Sequence, residues 1–327
     1  MTTPAITTTR TIPDTGVDLP VLGFGGAPIG NLYHRMSDAE AIGAVAAAWN
    51  GGIRYFDTAP HYGLGLSETR LGAALAGQRR DDYVLSTKVG RLVRPNTSSE
   101  DLDDEGYDVP NDLMRVRDYS RDGVLRSIEE SLTRLRTDRL DIVYIHDPDE
   151  YWEQALDGAV PTLSALRDEG VIGAWGAGMN QSAMLTRFVT ETDIDVVMLA
   201  GRYTLLDQGA AEDLLPACID RDVAVVDVGV FNSGLLSTNR PGTGATYDYH
   251  QAPEHLVEKA NRLAGICERH GTTLPAAAVR FPFRHPAVTG VVLGMRTAEQ
   301  VERNLDLMAR PVSEDLWKDL QDHGFLA

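Results

Sequence analysis

The chain has 327 residues, of which 43% are hydrophobic and 24% charged, as is typical of a folded globular protein and not of a disordered one. With 48 acidic against 30 basic side chains the formal charge is −18, which makes nucleic-acid and anionic-membrane partners unfavourable. No apolar run approaches the ~18 residues that span a bilayer, and the N-terminus lacks the pattern of a secretory signal. We therefore expect a cytoplasmic protein.

The two cysteines predict no special chemistry. Cys218 and Cys267 lie in helix-like stretches and lack the spacing of metal ligands. In a reducing cytosol they are expected to be buried free thiols. The sequence therefore predicts no metal site.

Short, apolar, β-branched runs recur along the chain and predict eight strands. They cover residues 21–24, 53–58, 83–88, 140–146, 172–176, 196–200, 223–228 and 290–293. Because these runs are apolar on both faces, they suit a parallel sheet that is buried on both sides.

Helical patterns alternate with the strands. Apolar residues recur at spacings of three and four within 41–49, 124–135 and 256–266. Ser37 with Glu40, and Thr297 with Gln300, predict helix starts of the capping-box type. Eight strands, each followed by a helix, favour a (β/α)₈ TIM barrel that occupies residues 1–327 as a single domain.

An open, doubly wound sheet is the alternative fold. It is disfavoured because no strand runs into Gly-x-Gly-x-x-Gly: after Gly23 and Gly25, Pro28 stands where the third glycine belongs. Two connections, 91–118 and 232–253, exceed the ~15 residues usual in a compact domain. Both are expected as long loops at the C-terminal face of the strands, where barrel enzymes place their sites. The acidic 91–118 loop has the alternative of a solvated loop without a role.

Four polar side chains end or follow three neighbouring predicted strands: Asp57, Tyr62, Lys88 and His146. Because neighbouring parallel strands end at one rim, a carboxylate, a phenol, an amine and an imidazole are expected to meet there. Each alone has an ordinary structural explanation. Together they are hard to explain as packing, since a buried charge is costly unless it is paired.

These four groups form a coherent acid–base system. A phenol is a poor acid and base at neutral pH, but a nearby ammonium favours the phenolate, and a carboxylate can hold that ammonium in place. Tyr62 can then move a proton to or from a substrate oxygen that His146 hydrogen-bonds. None of the four carries electrons, so a nicotinamide cofactor would have to supply the hydride partner.

Three other functions stay open on these residues. Lys88 could form a Schiff base, as in an aldolase, although the phenol and carboxylate argue against it. Asp57, His61 and His146 could serve a metal-dependent hydrolase, although no second histidine cluster completes the ligand set. The chain could also bind nicotinamide as a sensor without turnover, which the complete set of four groups disfavours.

Several segments resemble the aldo-keto reductases, and the resemblance extends over essentially the whole chain. They are residues 51–60 (GGIRYFDTAP), 61–63 (HYG), 65–68 (GLSE), 86–88 (STK) and 141–146 (DIVYIH). The resemblance implies a (β/α)₈ barrel that binds NAD(P)H without a Rossmann domain. It also implies a catalytic tetrad of Asp57, Tyr62, Lys88 and His146.

The cofactor segments match the family less evenly. The family often has Gly-x-Ser-Asn after strand five to hold the nicotinamide amide, whereas here Gly178 and Met179 occupy the Ser-Asn positions and Asn180 comes one residue later. Ala200 stands where a glutamine is expected. Main-chain amides near Ser233 and the helix start at Thr297 can bind phosphate oxygens. The cofactor residues implied by the resemblance are Asn180, Phe231, Asn232, Ser233, Gly234, Leu236, Gly294, Met295, Arg296, Thr297, Gln300 and Asn304.

Segments 23–32 and 231–236 resemble one bacterial branch of the family, which contains D-threo-aldose 1-dehydrogenases (L-fucose or galactose dehydrogenases) and pyridoxal 4-dehydrogenases. The resemblance implies oxidation of a small sugar substrate at C1 to a lactone. Oxidation of pyridoxal, or broad NADPH-dependent reduction of aldehydes and ketones, is the alternative. Aromatic and charged residues of the rim suit a hydroxylated ring. The candidate substrate residues are His61, Trp152, Arg202 and Tyr203, with Asp147 and Asp149 nearby.

The sequence favours NAD as cofactor, with NADP as the alternative. A 2′-phosphate needs a cationic partner, and charge-assisted contacts of that kind are strong. Arg296 is the only cation within residues 294–300, and Gln300 stands where NADP-preferring relatives often carry arginine.

Overall fold

The computed structural model describes residues 5–97, 105–248 and 250–326. At its centre is a closed barrel of eight parallel strands, which confirms the predicted (β/α)₈ TIM barrel. The last strand pairs with the first and closes the ring. In chain order the strands are β1 Leu22–Gly25, β2 Tyr55–Asp57, β3 Val84–Val89, β4 Leu140–His146, β5 Ile172–Met179, β6 Val196–Ala200, β7 Ala224–Val228 and β8 Val288–Gly294.

Helices follow the strands around the outside of the barrel. They are α1 Asp38–Asn50, α2 Leu66–Leu75, α3 Arg121–Leu135, α4 Val160–Asp168, α5 Ser182–Glu191, α6 Leu214–Asp220, α7 Glu254–Arg269, α8 Leu274–Arg280, α9 Ala298–Ala309 and α10 Glu314–Asp322. Both α7 and α8 follow β7. Before α4 the chain is already helical from Trp152, through a π-helical turn at Ala155–Ala159.

Both predicted helix starts are present, and one is a full capping box. At α1, Ser37 Oγ accepts from the Glu40 amide at 3.2 Å, and Glu40 Oε2 accepts from the Ser37 amide at 2.7 Å. At α9, Thr297 Oγ1 accepts from the Gln300 amide at 3.2 Å. The Gln300 side chain accepts from the Arg296 amide at 2.8 Å instead of from the capping residue. These bonds satisfy amides that the first helical turn leaves without partners.

Alternation along the strands decides which side chains face the barrel axis. Tyr55 of β2 and Tyr144 of β4 lie in the inner hydrophobic cluster, whereas Phe56 packs outward against the helices. Since side chains alternate with a period of two, Asp57 and His146 also face inward, one layer closer to the carboxyl ends. The fold therefore places these polar groups at the C-terminal mouth of the barrel, above an apolar layer.

Both long connections contain short antiparallel strands, where the sequence predicted loops. Between β3 and α3, Arg91–Pro95 pairs with Leu113–Arg117, and we call this element the 91–117 hairpin. Between β7 and α7, Thr246–Tyr247 pairs with His250–Gln251. Residues 98–104 of the first connection lie outside the described ranges. Both connections are thus long excursions after strand ends, as predicted, and each contains one short antiparallel strand pair.

Two further features bear on the sequence-based expectations. Within the described ranges, no helix is both long and apolar enough to cross a membrane. Cys218 of α6 and Cys267 of α7 are buried free thiols, as predicted. The assignment of residues 1–327 to a single domain stays a prediction.

Candidate active site

Asp57 and Lys88 form a buried ion pair at the barrel mouth. Lys88 Nζ donates to Asp57 Oδ1 at 2.9 Å, to Asp57 Oδ2 at 2.7 Å and to the Thr58 carbonyl at 2.9 Å. Ser86 Oγ donates to Asp57 Oδ1 at 2.7 Å. Burial raises the pKa of Asp57, and the Lys88 charge and the Ser86 bond oppose that rise. The carboxylate thus fixes the position of the ammonium group.

The same contacts weigh against the aldolase and hydrolase alternatives. Three acceptors around Lys88 Nζ match the three N–H bonds of an ammonium, whereas a Schiff base needs a neutral amine with a free lone pair. Asp57 is already engaged by Lys88. No group of three His, Cys, Asp or Glu side chains in the described parts of the chain is placed to hold a metal. Lys88 is therefore best explained as a fixed positive charge.

Tyr62 and His146 lie beside Lys88 at the barrel mouth. The loop after β2 places the Tyr62 ring so that Lys88 Nζ is 4.7 Å from its centroid. The His146 ring stands at 90° to the Tyr62 ring, with centroids 5.8 Å apart. Burial, followed by the charges of Arg91 and Lys88, lowers the pKa of His146 well below its usual range. A neutral imidazole can hydrogen-bond a substrate oxygen without adding a charge.

His61, the residue before Tyr62, is held by the 91–117 hairpin. Its Nδ1 lies 2.6 Å from Arg115 Nε and 3.1 Å from Arg91 Nη1. Arg115 Nη2 also donates to the His61 carbonyl at 2.9 Å. Burial, followed by the charges of Arg91 and Arg115, lowers the pKa of His61 well below its ordinary value. The His61 and His146 ring centroids are 5.3 Å apart, so the hairpin contacts reach the tetrad.

Asp147 ties the same hairpin to β4. It follows His146 directly, and its Oδ2 accepts from Arg91 Nη2 at 2.5 Å. Its φ of 41° lies in the left-handed region, which non-glycine residues adopt only where the surroundings enforce it. Tyr119 Oη donates to the carbonyls of His146 at 2.7 Å and Asp147 at 2.9 Å. These bonds hold the end of β4, and with it His146, in one place.

Residues of the 91–117 hairpin complete this site, although their sequence pattern did not predict them there. Tyr107 stacks on Tyr62 with ring planes 25° apart and centroids at 6.2 Å. Arg91 pairs with Arg117 across the hairpin, and Val93 with Arg115, so all three arginines lie on one face. The arginines at 115 and 117, two residues apart, are a weak signal for this face. The acidic composition of the whole connection concealed it.

The predicted pyrophosphate loop forms a tight turn after β7. Asn232, Ser233 and Gly234 have φ values of 46°, 55° and 99°. The amides of Asn232 and Gly234 donate to Gly229 and Phe231 carbonyls within the loop, so these predicted phosphate donors are already engaged. Asn232 Oδ1 is buried and has no hydrogen-bond partner within the described residues. Of the hydrophobic residues predicted here, Leu236 lies in the core and Phe231 packs against it.

The predicted adenosine-end residues lie between β8 and α9. Arg296 Nη2 donates to the main-chain carbonyls of His34 at 2.9 Å and Arg35 at 2.8 Å. Its guanidinium group is thereby tied to the connection between β1 and α1. The other residues predicted for this end are the exposed Gly294, the buried Met295 and Asn304, and the cap formed by Thr297 and Gln300.

Arg202 and Asn180 contact each other beside the predicted cofactor loop. Arg202 Nε donates to the Asn180 carbonyl at 3.1 Å. The Arg202 guanidinium also pairs with both carboxylate oxygens of Asp248, at 3.2 and 3.1 Å. Asn180 itself is exposed at the end of β5. Arg202 therefore links the segments that follow β5, β6 and β7.

The two aromatic residues predicted for the substrate rim lie in helix packing. Trp152 is buried, with its ring 4.8 Å from that of Phe188 in α5. Tyr203 is also buried, with its ring 4.9 Å from that of Phe281. Of the four predicted substrate residues, His61 is the one that the structure brings against the tetrad. We leave Trp152 and Tyr203 out of the proposed substrate site.

Known proteins resemble this chain over nearly its whole length. The model of the Aldo/keto reductase family matches residues 21–324. A D-threo-aldose 1-dehydrogenase from Pseudomonas sp is 46% identical over 94% of this chain and 94% of its own. A pyridoxal 4-dehydrogenase from Microbacterium luteolum is 37% identical over 97% of this chain and 98% of its own. The solved glycerol dehydrogenase from Gluconobacter oxydans has a TM-score of 0.78 at 23% identity, covering 97% of this chain and 94% of that one, which supports the fold alone.

Proposed function

Because the chain belongs to the aldo-keto reductase family and is an NAD(P)-dependent oxidoreductase, we propose that it oxidises a small aldose, of L-fucose-like or D-threo configuration, at C1 to the lactone. The observation that carries this proposal is the polar wall beside the tetrad, where Arg91 bonds both His61 and Asp147. Such a wall suits the hydroxyl groups of a sugar, whereas an aliphatic aldehyde needs an apolar surface. The name of the 46% identical relative supports the same substrate class.

The cofactor would supply the nicotinamide carbon that accepts the hydride from C1. Asn232 fits such a group, because its buried Oδ1 has no partner in the described parts of the chain and can accept a hydrogen bond from a cofactor hydroxyl or amide. A Cβ at position 178 would lie in van der Waals contact with Met198 Cβ at 3.4 Å and Lys88 Cε at 3.9 Å, so the glycine keeps side-chain atoms out of the space beside Lys88. We propose that loop 231–236 and the start of α9 hold the rest of the cofactor.

The tetrad removes the C1 hydroxyl proton as the hydride leaves C1. When the C1–H bond gives up its hydride, the C1 hydroxyl proton passes to Tyr62, and C1 becomes the lactone carbonyl carbon. The Lys88 ammonium favours the phenolate that accepts this proton, and Asp57 holds the ammonium in place. Neutral His146 donates a hydrogen bond to the same substrate oxygen and orients it.

NAD is the cofactor that the charges favour, with NADP as the alternative. Arg296 Nη2 is engaged by the carbonyls of His34 and Arg35. A 2′-phosphate bound to Arg296 would compete with these bonds and approach the carboxylate of Glu40, which interacts with Arg296. The formal charge of −18 also disfavours two further negative charges, although salt screens this effect. We place the reaction in the cytoplasm, where reduced thiols persist.

A substrate panel read at the nicotinamide absorbance tests the proposal. It contains L-fucose, D-threo aldoses, pyridoxal and aliphatic aldehydes, each with both cofactors in both redox states. We expect the highest kcat/KM for the aldoses with NAD⁺. Pyridoxal as the best substrate would favour the activity of the 37% identical relative. Efficient NADPH-dependent reduction of aliphatic aldehydes, without sugar oxidation, would overturn the proposal in favour of a broad carbonyl reductase.

A further inference from the structure

The two ring nitrogens of His61 have different surroundings. Nδ1 lies 2.6 Å from Arg115 Nε and 3.1 Å from Arg91 Nη1, and both are obligate donors. Arg91 Nη1 is farther from Nε2, at 3.4 Å. Glu105 Oε2 lies 3.7 Å from Nδ1. A nitrogen that faces guanidinium donors at these distances acts as an acceptor, so the ring proton belongs on Nε2.

The arginines that face His61 are themselves held by other groups. Arg91 Nη2 donates to Asp147 Oδ2 at 2.5 Å, and its Nη1 lies 3.4 Å from Glu105 Oε2. Arg115 Nη2 donates to the carbonyl of His61 itself at 2.9 Å. Asp147 and Glu105 thus balance much of the arginine charge. Arg91, Arg115, Asp147 and Glu105 therefore hold a neutral imidazole in place. Because the arginines are already paired, these groups do not form an open anion site.

The imidazole of His61 lies beside Tyr62 and His146, the two residues proposed to contact the reacting oxygen. Its centroid is 5.8 Å from that of Tyr62 and 5.3 Å from that of His146. In the proposed reaction those two residues hold the oxygen on C1. A donor one side chain away is therefore within reach of an oxygen on the neighbouring carbon. In an aldose that oxygen is the C2 hydroxyl.

We propose that His61 is a specificity-determining residue whose Nε2–H donates a hydrogen bond to the C2 hydroxyl of the aldose, and that Arg115 and Arg91 select the donating tautomer. This inference rests on the proposed function and adds the hydroxyl group that is recognised. A substrate without that hydroxyl leaves a buried donor unpaired, which a site built to hydrogen-bond it rejects strongly. The enzyme thereby separates 2-hydroxy aldoses from their 2-deoxy analogues.

The first test compares kcat/KM for L-fucose and 2-deoxy-L-fucose with NAD⁺. We expect the wild-type enzyme to prefer L-fucose by about 100-fold or more. His61→Ala should lower kcat/KM for L-fucose by about 10- to 100-fold and change it little for the 2-deoxy sugar, because only the former loses a hydrogen bond. His61→Gln, whose amide nitrogen can donate, should restore part of the preference.

Arginine variants test the choice of tautomer. Arg115→Met removes the shorter contact to Nδ1 and should reduce the L-fucose preference, although less than His61→Ala does. Arg94→Met is the matched control, because Arg94 lies on the same hairpin but pairs with Glu130 of α3 at 2.9 Å. It should leave the preference unchanged. Thermal unfolding and NADH fluorescence titration establish that each variant folds and binds cofactor.

The outcomes separate this inference from the proposed function. If wild-type enzyme oxidises L-fucose and His61→Ala slows both sugars equally, the inference is overturned and the proposed function stands. Preference for an aldose that carries a carboxylate, lost in Arg115→Met, would mean that the cluster binds anions and would also overturn it. If no aldose is oxidised, the proposed function fails and the inference fails with it.

Discussion

The ammonium group of Lys88 lies over the ring of Tyr62, with Nζ 4.7 Å from the ring centroid. A positive charge at this distance stabilises the phenolate relative to the phenol. Tyr62→Phe keeps the ring and this contact but removes the hydroxyl. It should lower kcat by about 10²- to 10⁴-fold, the usual loss for a positioned acid–base group. NADH titration should give a dissociation constant near that of the wild type, and a fully active variant would contradict the assignment.

Removing the charge itself should move the pH profile. In Lys88→Met the phenolate is no longer favoured by a neighbouring cation, so residual kcat should rise only at a more alkaline pH than in the wild type. Lys259→Met is the control, because Lys259 is a partly buried amine of α7 that donates to the Leu206 carbonyl at 2.9 Å. The profile of this control should coincide with that of the wild type. Unshifted residual activity in Lys88→Met would exclude an electrostatic role.

The buried histidines should make stability depend on pH. Burial holds the pKa of both His61 and His146 well below their ordinary value. In the unfolded chain they bind protons near pH 6.5, so below that pH the unfolded state gains protons that the folded state does not. The free energy of unfolding should therefore decrease as the pH falls from about 7.5 to 5.5. Urea unfolding measures this slope.

Single variants show whether His61 contributes to the slope of the free energy of unfolding against pH. The slope is set by the number of protons that the chain takes up on unfolding. His61→Gln should lower that number by up to one, because glutamine does not titrate. His255→Gln, at an exposed position of α7, serves as control and should leave it unchanged. If His61→Gln and the wild type have the same slope, His61 is protonated in the folded protein, and the tautomer argued above is wrong.

Asp227 of β7 predicts a pH dependence of the opposite sign. Its carboxyl group is fully buried, and neither oxygen has a well-formed hydrogen bond within the described residues. Burial raises its pKa well above the ordinary value, against a smaller opposing effect of the Val228 amide. In the unfolded chain this group ionises near pH 4, so the folded state loses stability as the pH rises above that value.

The variant Asp227→Asn should remove that loss, because an amide stays neutral. We expect its free energy of unfolding to exceed that of the wild type by about 1–3 kcal/mol at pH 8, with a smaller gain at pH 4.5. Asp220→Asn, at an exposed position near the end of α6, is the control and should change neither value. Equal gains at both pH values would mean that Asp227 is ionised in the folded protein.

The sequence predicted the barrel from simple periodicities, and it predicted that Asp57, Lys88 and His146 meet at one rim because neighbouring strands end there; their catalytic role stays a prediction. Apolar runs gave the strands, and alternation along β2 and β4 turned Asp57 and His146 inward at the strand ends. The neighbouring GLSE motif is structural by contrast. Its Glu68 is buried and accepts from Thr87 Oγ1 at 2.7 Å and Arg134 Nε at 2.6 Å. These bonds tie the start of α2 to β3 and α3, so the motif supports the fold around the active-site loop.

The parts that could not be predicted depend on contacts between distant segments. The arginine contacts of His61 require the register of the 91–117 hairpin, which pairs Val93 with Arg115, and a charged, irregular strand gives a weak signal for pairing. Trp152 and Tyr203 were predicted at the rim because aromatic residues beside strand ends suit a sugar site. The structure buries both in helix packing, and their sequence positions alone do not distinguish a rim from a core contact.

Transfer of deuterium from C1 shows whether the enzyme removes a hydride from that carbon with the help of Tyr62. L-fucose labelled with deuterium at C1 is incubated with NAD⁺ and the enzyme, and the reduced nicotinamide and the sugar product are examined by NMR and mass spectrometry. We expect one deuterium at C4 of the nicotinamide, an equal amount of lactone, and a far slower reaction with Tyr62→Phe. Unlabelled reduced nicotinamide, or labelled product formed at the same rate by Tyr62→Phe, would contradict this expectation.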